Sequence, residues 1–236
     1  VMSVAGPNAR AVIKTAGCDR NLDAEAFPFM SMQTGEVAGI PARISRISFS
    51  GESAFEISVD ANQGLSLWEA IMTAGRDYDI TPYGTEAMHV LRAEKGYVIV
   101  GQDTDGSVTP IDLGMDWIIS KKKDFIGKRS LSRSDTDRPN RKQLVGLKTQ
   151  DPSRVLPEGA QLVNTPQAEP PVPMIGHVSS SYYSAHLGRS IALALVKGGL
   201  SRMGGTIYAQ LMDGSVVPAT ICAPVFFDPE NERTKS

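Results

Sequence analysis

Few side chains in this sequence are placed to do chemistry, and the one with the best-defined setting is Glu56. It lies in Ala54-Phe55-Glu56-Ile57-Ser58-Val59, where apolar residues recur at every second position, the period of a half-buried strand. Successive strand side chains point to opposite faces, so Glu56 turns away from Phe55, Ile57 and Val59 and shares its face with Ala54 and Ser58. A carboxylate held this way can accept two hydrogen bonds side by side from adjacent N–H groups of a ligand. The spacing alone equally fits a solvated outer-face carboxylate, the usual state of an exposed Glu.

The other candidates are thinner. His89, His177 and His186 form no pair at ligand spacing, and neither Cys18 nor Cys222 is near them in sequence, so no metal site is expected. His177 reads as a structural hydrogen-bonding group in a strand. Asp103, Asp105, Asp112 and Asp116 lack the Glu-terminated calcium-loop pattern and read as solvated turn residues. The glycine-rich run 198–205 has no phosphate-loop pattern and reads as a connection between strands. Lys121-Lys122-Lys123 reads as a solvated loop that a polyanion could meet. No Gly-x-Ser-x-Gly nucleophile occurs.

Composition narrows the class. A net charge of −2 over 236 residues lacks the basic excess that nucleic acid or an acidic membrane surface calls for, so neither is an expected partner. No apolar run approaches the roughly 20 residues of a membrane helix, and no secretory leader pattern is present. Two cysteines without framework spacing read as structural thiols in a reducing compartment, and the expected location is cytoplasmic.

The elements that must position Glu56 follow from the same patterns. Residues 46–59 read as a β-hairpin joined through Ser50-Gly51-Glu52-Ser53, with Ile47 and Phe49 on its first strand. Before it, 1–4 reads as a strand, 9–16 as a short helix stopped by Gly17, and 32–49 as strand broken by Gly35, Gly39 and Pro41. After it, 62–75 reads as a helix capped by Asn62, with Leu65, Trp68, Ile71 and Met72 on its apolar face. A second helix is expected to start at Thr81-Pro82 and end at Lys95-Gly96. Strand is expected at 97–100 and again, or as a core segment, at 115–120. The polar run 132–142 reads as a linker, dividing the chain into 1–140 and 141–236. Beyond it, β runs at 143–148, 160–163, 175–183, 190–196, 206–211 and 216–222 argue for a small antiparallel barrel or sandwich.

The motif Arg46-Ile47-Ser48-Phe49-Ser50-Gly51-Glu52-Ser53-Ala54-Phe55-Glu56-Ile57 resembles the central motif of the folate-binding aminomethyltransferases, the family of the glycine cleavage T-protein. Leu91-Arg92-Ala93-Glu94-Lys95-Gly96, Gly101-Gln102-Asp103, Thr109-Pro110, Asp124-Phe125-Ile126-Gly127-Lys128 and Gly176-His177-Val178-Ser179-Ser180 follow in the family's order. Within the family, the run 101–110 is most similar to the sarcosine oxidase alpha-subunit branch.

The resemblance implies an α+β fold, a mixed helix and sheet folate-binding part truncated at its N-terminus, followed by a small antiparallel β-barrel. It implies that Glu56 binds the pterin of tetrahydrofolate in a pocket between the two parts, with Phe49, Phe226 and Phe227 as further folate contacts. Phe226-Phe227 stands where the T-protein has a Tyr pair, and Met88-His89 where it has an Arg-Asp run. The family's catalytic Asp has no counterpart among the residues present, so no catalytic residue is assigned. As a C-terminal piece of such a subunit, the chain is expected to act within a larger oxidoreductase, inactive by itself. Other sarcosine oxidase subunits would be its partners, with FAD or FMN and NAD held elsewhere in the complex. An aminomethyltransferase of the glycine cleavage type, and a non-catalytic interaction domain of the same fold, remain the alternatives.

Overall fold

The first half of the chain places its alternating runs in an antiparallel sheet of order β1-β4-β3-β2, made of β1 (Met2–Ala5), β2 (Met32–Val37), β3 (Ile40–Ser45) and β4 (Ala54–Ser58). The computed structural model describes residues 1–167, 169 and 171–235, and it divides into one unit of Val1–Arg92 with Asp228–Ser236 and another of Ala93–Phe227. In the first, Val4, Ile44, Phe55 and Ile57 line up on one face of the sheet and bury themselves against α1 (Ala9–Thr15) and α2 (Gly64–Ala74). Phe27 completes that core, its ring edge-on to Phe55 at 5.9 Å.

The strands differ from the sequence reading in ways that tertiary partners explain. Of the residues expected to break 32–49, neither Gly35 nor Pro41 interrupts a strand. The turn is made at Ala38 and Gly39, with φ of 55° and 72°, the left-handed pair that a tight hairpin requires. The hairpin around Glu56 exists as the pairing of β3 with β4, but its first strand stops at Ser45. Ile47 and Phe49 are therefore loop residues. Arg46 is buried and donates to the carbonyls of Phe27 at 2.7 Å and Thr234 at 3.3 Å. Ser48 Oγ accepts from the Gly51 N–H at 2.9 Å, a local side-chain bond that displaces the strand ladder. The short C-terminal helix α4 (Glu232–Lys235) adds a 2.6 Å ion pair from Arg233 to Glu52.

Asn62 does not cap α2. A 3-10 turn, Ala61–Gln63, precedes the helix, and no side-chain cap bond forms at either. Leu67 and Ile71 supply the buried face of α2, while Leu65 and Trp68 are exposed. The helix α3 (Thr85–Glu94) begins four residues later than Thr81, whose hydroxyl instead donates to the Asp79 carbonyl at 3.3 Å. The chain passes from one unit to the other within this helix.

Gly96 follows α3 at φ +67°, and a Cβ there would lie 2.7 Å from the Pro224 carbonyl oxygen. Both the left-handed backbone and the contact exclude a side chain. Gly96→Ala is expected to cost about 1–3 kcal/mol, read as a lower urea midpoint. An unchanged midpoint would refute the close approach.

In the second unit six antiparallel strands close a barrel of order β10-β5-β8-β7-β6-β9. They are β5 (Lys142–Thr149), β6 (Gln161–Val163), β7 (Met174–Ser184), β8 (Arg189–Lys197), β9 (Thr206–Gln210) and β10 (Val216–Cys222). Val145 and Leu147 of β5 and Ala192, Ala194 and Val196 of β8 point into the barrel core. Their opposite neighbours Leu144, Leu193 and Leu195 pack outside it with Val98, Val108, Leu113 and Phe226. Burial on both faces explains the unbroken apolar run of β8. It also explains why residues 97–100 are not a strand: Val98 rests on the barrel without joining a sheet. Residues 115–120 likewise form no strand; Asp116–Ile118 is a 3-10 turn with Trp117 exposed.

Candidate ligand-binding site

Glu56 occupies an inner strand, opposite Ser3 of β1 on one side and Ser45 of β3 on the other. Phe55 and Ile57 are fully buried to either side of it, and Glu56 itself is half-buried on the reverse face. That face borders a cavity of about 770 Å³. The cavity's aromatic walls are Trp68, Tyr78 and Tyr83, with Met72 and Met88 beside them. All its lining residues belong to the first unit. Glu56 and Asp79 are the charged side chains among the described lining residues, and no Lys, Arg or His joins them. Among the described residues no donor pairs with the Glu56 carboxylate, whose neighbours across the sheet are the two serines. Such a site suits a flat, apolar-faced ring that carries N–H donors along one edge.

The other residues named for the ligand are placed as follows. Phe49, half-buried in the loop after β3, is not among the cavity's lining residues. Phe226 and Phe227 are in the second unit, where both N–H groups donate to the Glu94 carbonyl, at 2.8 and 3.0 Å. The Phe227 ring stands edge-on to His186 at 4.3 Å. Lys121, Lys122 and Lys123 are exposed. Burial pushes both the Cys18 and Cys222 thiols up, and neither is in a disulfide. Among the described residues no cluster of His, Cys, Asp and Glu could hold a metal. Of the cavity residues, Tyr78 and Tyr83 carried no periodic signal. Trp68 and Met72 did, four positions apart on the helix stripe taken for a buried face.

Two aspartates taken for solvated turn residues are buried. Asp103 accepts from Ser179 Oγ at 2.5 Å, Ser180 Oγ at 2.7 Å and the Ile99 N–H at 2.9 Å. Gln102 adds bonds to Ser180 Oγ at 3.1 Å and Glu158 at 3.0 Å. Asp112 meets Arg141 at 2.7 Å and accepts from the N–H and hydroxyl of Thr109. Burial alone would push the Asp112 carboxyl up, but the Arg141 and Thr109 hydrogen bonds outweigh it and hold it below the usual carboxylate range. These groups fasten the loop 99–113 to the barrel; they do not line the cavity.

Comparison with known proteins places both halves of the chain. Residues 1–123 match the GCVT N-terminal domain family, and residues 142–228 match the glycine cleavage T-protein C-terminal barrel domain. The sarcosine oxidase subunit alpha of Corynebacterium sp. (strain U-96) is 50% identical over 235 residues, covering 98% of this chain and 24% of that protein. The aminomethyltransferase of Thermotoga petrophila is 31% identical over 203 residues, covering 86% of this chain and 53% of its own length. The crystal structure of the glycine cleavage system aminomethyltransferase T from Bartonella henselae superposes with a TM-score of 0.76 at 26% identity, over 94% of this chain and 57% of that one. The chain thus spans about a quarter of the sarcosine oxidase subunit it matches and about half of the aminomethyltransferases.

Proposed function

The chain belongs to the glycine cleavage T-protein family, and from that membership we propose that it is the tetrahydrofolate-binding part of a sarcosine oxidase alpha subunit. In this reading the whole enzyme removes two electrons from sarcosine on a flavin held outside these residues. Tetrahydrofolate then takes the resulting one-carbon unit, leaving glycine and 5,10-methylenetetrahydrofolate. The setting is cytoplasmic, and the partners are the enzyme's other subunits.

The observation that carries the reading is the half-buried Glu56 carboxylate, which borders an aromatic-walled cavity and is bonded to no donor among the described residues. A pterin presents a ring N–H and an adjacent amino group that a carboxylate can accept together. Met88 lines the same cavity where the glycine-cleavage enzymes resembled by this sequence carry Arg, which favours the oxidase reading over an aminomethyltransferase.

The test supplies the full-length assembly with sarcosine, with and without tetrahydrofolate. The expected result is that added tetrahydrofolate diverts the one-carbon unit into 5,10-methylenetetrahydrofolate and suppresses free formaldehyde. Formaldehyde released in the same yield with or without tetrahydrofolate would end the proposal.

A further inference from the structure

Glu56 is placed by a loop that has no strand ladder of its own. On β4 it lies opposite Ser45, the last residue of β3, and the chain between these strands, 46–53, joins no sheet. A slip of β4 by one residue would turn Glu56 into the core and its apolar neighbours out of it, so whatever fixes this loop fixes the carboxylate. Nearby backbone holds part of it: the Arg46 N–H donates to the Ser31 carbonyl and the Gly6 N–H to the Ser53 carbonyl, both at 2.9 Å. The segment 228–235, in the same unit, adds a tie toward each end. Arg46 donates to the Thr234 carbonyl at 3.3 Å, and Arg233 meets Glu52, two residues before β4, at 2.6 Å. The segment is folded by its own bonds. The Asp228 carboxylate accepts from the N–H groups of Glu232 at 2.9 Å and Arg233 at 3.4 Å, and Thr234 Oγ donates to the Asn231 carbonyl at 3.1 Å. Arg46 and Thr234 are both buried.

We propose that residues 228–235 are a strap that fixes the strand carrying Glu56 and, through it, the affinity of the cavity for its ligand. The inference rests on the reading of that cavity as the folate site. Asp228 and Arg233 are then positioning residues: neither they nor Arg46, Glu52 and Thr234 line the cavity. A buried guanidinium keeps its place only while carbonyls accept from it, and the Thr234 carbonyl is presented by a turn that Asp228 closes. The Arg233–Glu52 pair is partly exposed, so it contributes little to global stability. Its effect is local, on the loop that feeds β4.

The test uses the full-length protein and two readouts, amide hydrogen exchange and titration with a reduced folate. Asp228→Ala removes both acceptors of the turn, and Arg233→Glu sets two carboxylates against each other. Each should speed exchange over residues 46–58 while the barrel strands keep their rates, and each should weaken folate binding about threefold or more. Two rescues are expected. Asp228→Asn keeps one acceptor oxygen and tolerates the φ of +46° at this position, so it should stay close to wild type; adding Glu52→Arg to Arg233→Glu should restore most of the loss. Exchange over 46–58 unchanged in both damaging variants would overturn the proposal. Faster exchange with unchanged folate affinity would also overturn it, reducing the strap to a clip with no hold on the site. A wild type that takes up no folate would instead end the folate reading, and the exchange comparison would then decide alone whether the strap fixes β4.

Discussion

Replacing Arg141 with alanine is expected to destabilise the second unit by about 3–5 kcal/mol, the range for stripping one partner from a buried ion pair. Arg141 Nε and Nη2 both donate to the Asp112 carboxylate, at 2.9 and 2.7 Å, and Nη1 donates to the Asp135 carbonyl at 3.0 Å. Nη2 also donates to the Ser107 carbonyl. Only 10% of the Arg141 side chain and 4% of the Asp112 side chain remain exposed, so alanine leaves a carboxylate with little water to take the guanidinium's place. Urea unfolding followed by circular dichroism reads the loss. A double variant, Asp112→Leu with Arg141→Met, should lose less than Arg141→Ala alone, because no unpaired charge is then left behind.

The same pair sets an acid response. Because the Asp112 carboxyl titrates lower in the folded chain than in the unfolded one, its contribution is complete above the ordinary carboxylate pKa of about 3.9. It is lost as pH falls through the depressed folded value. Arg141→Ala should therefore narrow its deficit against wild type as pH is lowered through that window. A deficit that is the same at pH 7 and at the acid limit would show that Asp112 is not held by Arg141.

These groups also mark where sequence reading reached its limit. The barrel strands were legible within a residue or two, because apolar alternation and turn residues are local signals. The face of Glu56 was legible for the same reason, since a strand's period alone orients it. Burial of Asp103 depends on Ser179 and Ser180, 76 and 77 positions away, and that of Asp112 on Arg141, 29 positions away. No local pattern announces such partners. Arg46 likewise ends β3 early because Thr234, 188 positions on, supplies one of its acceptors. Thr81-Pro82 carried a helix-start signal, yet residues 81–84 remain irregular along the cavity wall.

The largest functional effect is expected at Glu56. Substitution by alanine removes a charged acceptor from the cavity while leaving Phe55 and Ile57 in the core of the sheet. The loss should be about 1.5–3 kcal/mol of folate affinity, the range for hydrogen bonds to a charged group. That corresponds to binding weaker by roughly 10- to 150-fold. Glu56→Gln keeps the shape but puts an amino group where one acceptor stood, so its affinity should fall between the two. The fold itself should be nearly indifferent, because no donor among the described residues depends on this carboxylate.

The direct measurement is isothermal titration of the full-length protein with a reduced folate, wild type against Glu56→Ala, with circular dichroism confirming that both are folded. The account predicts tight binding by wild type and a drop of roughly 10- to 150-fold for the variant; equal affinities would contradict it and return Glu56 to the role of a solvated carboxylate on the outer face of a sheet.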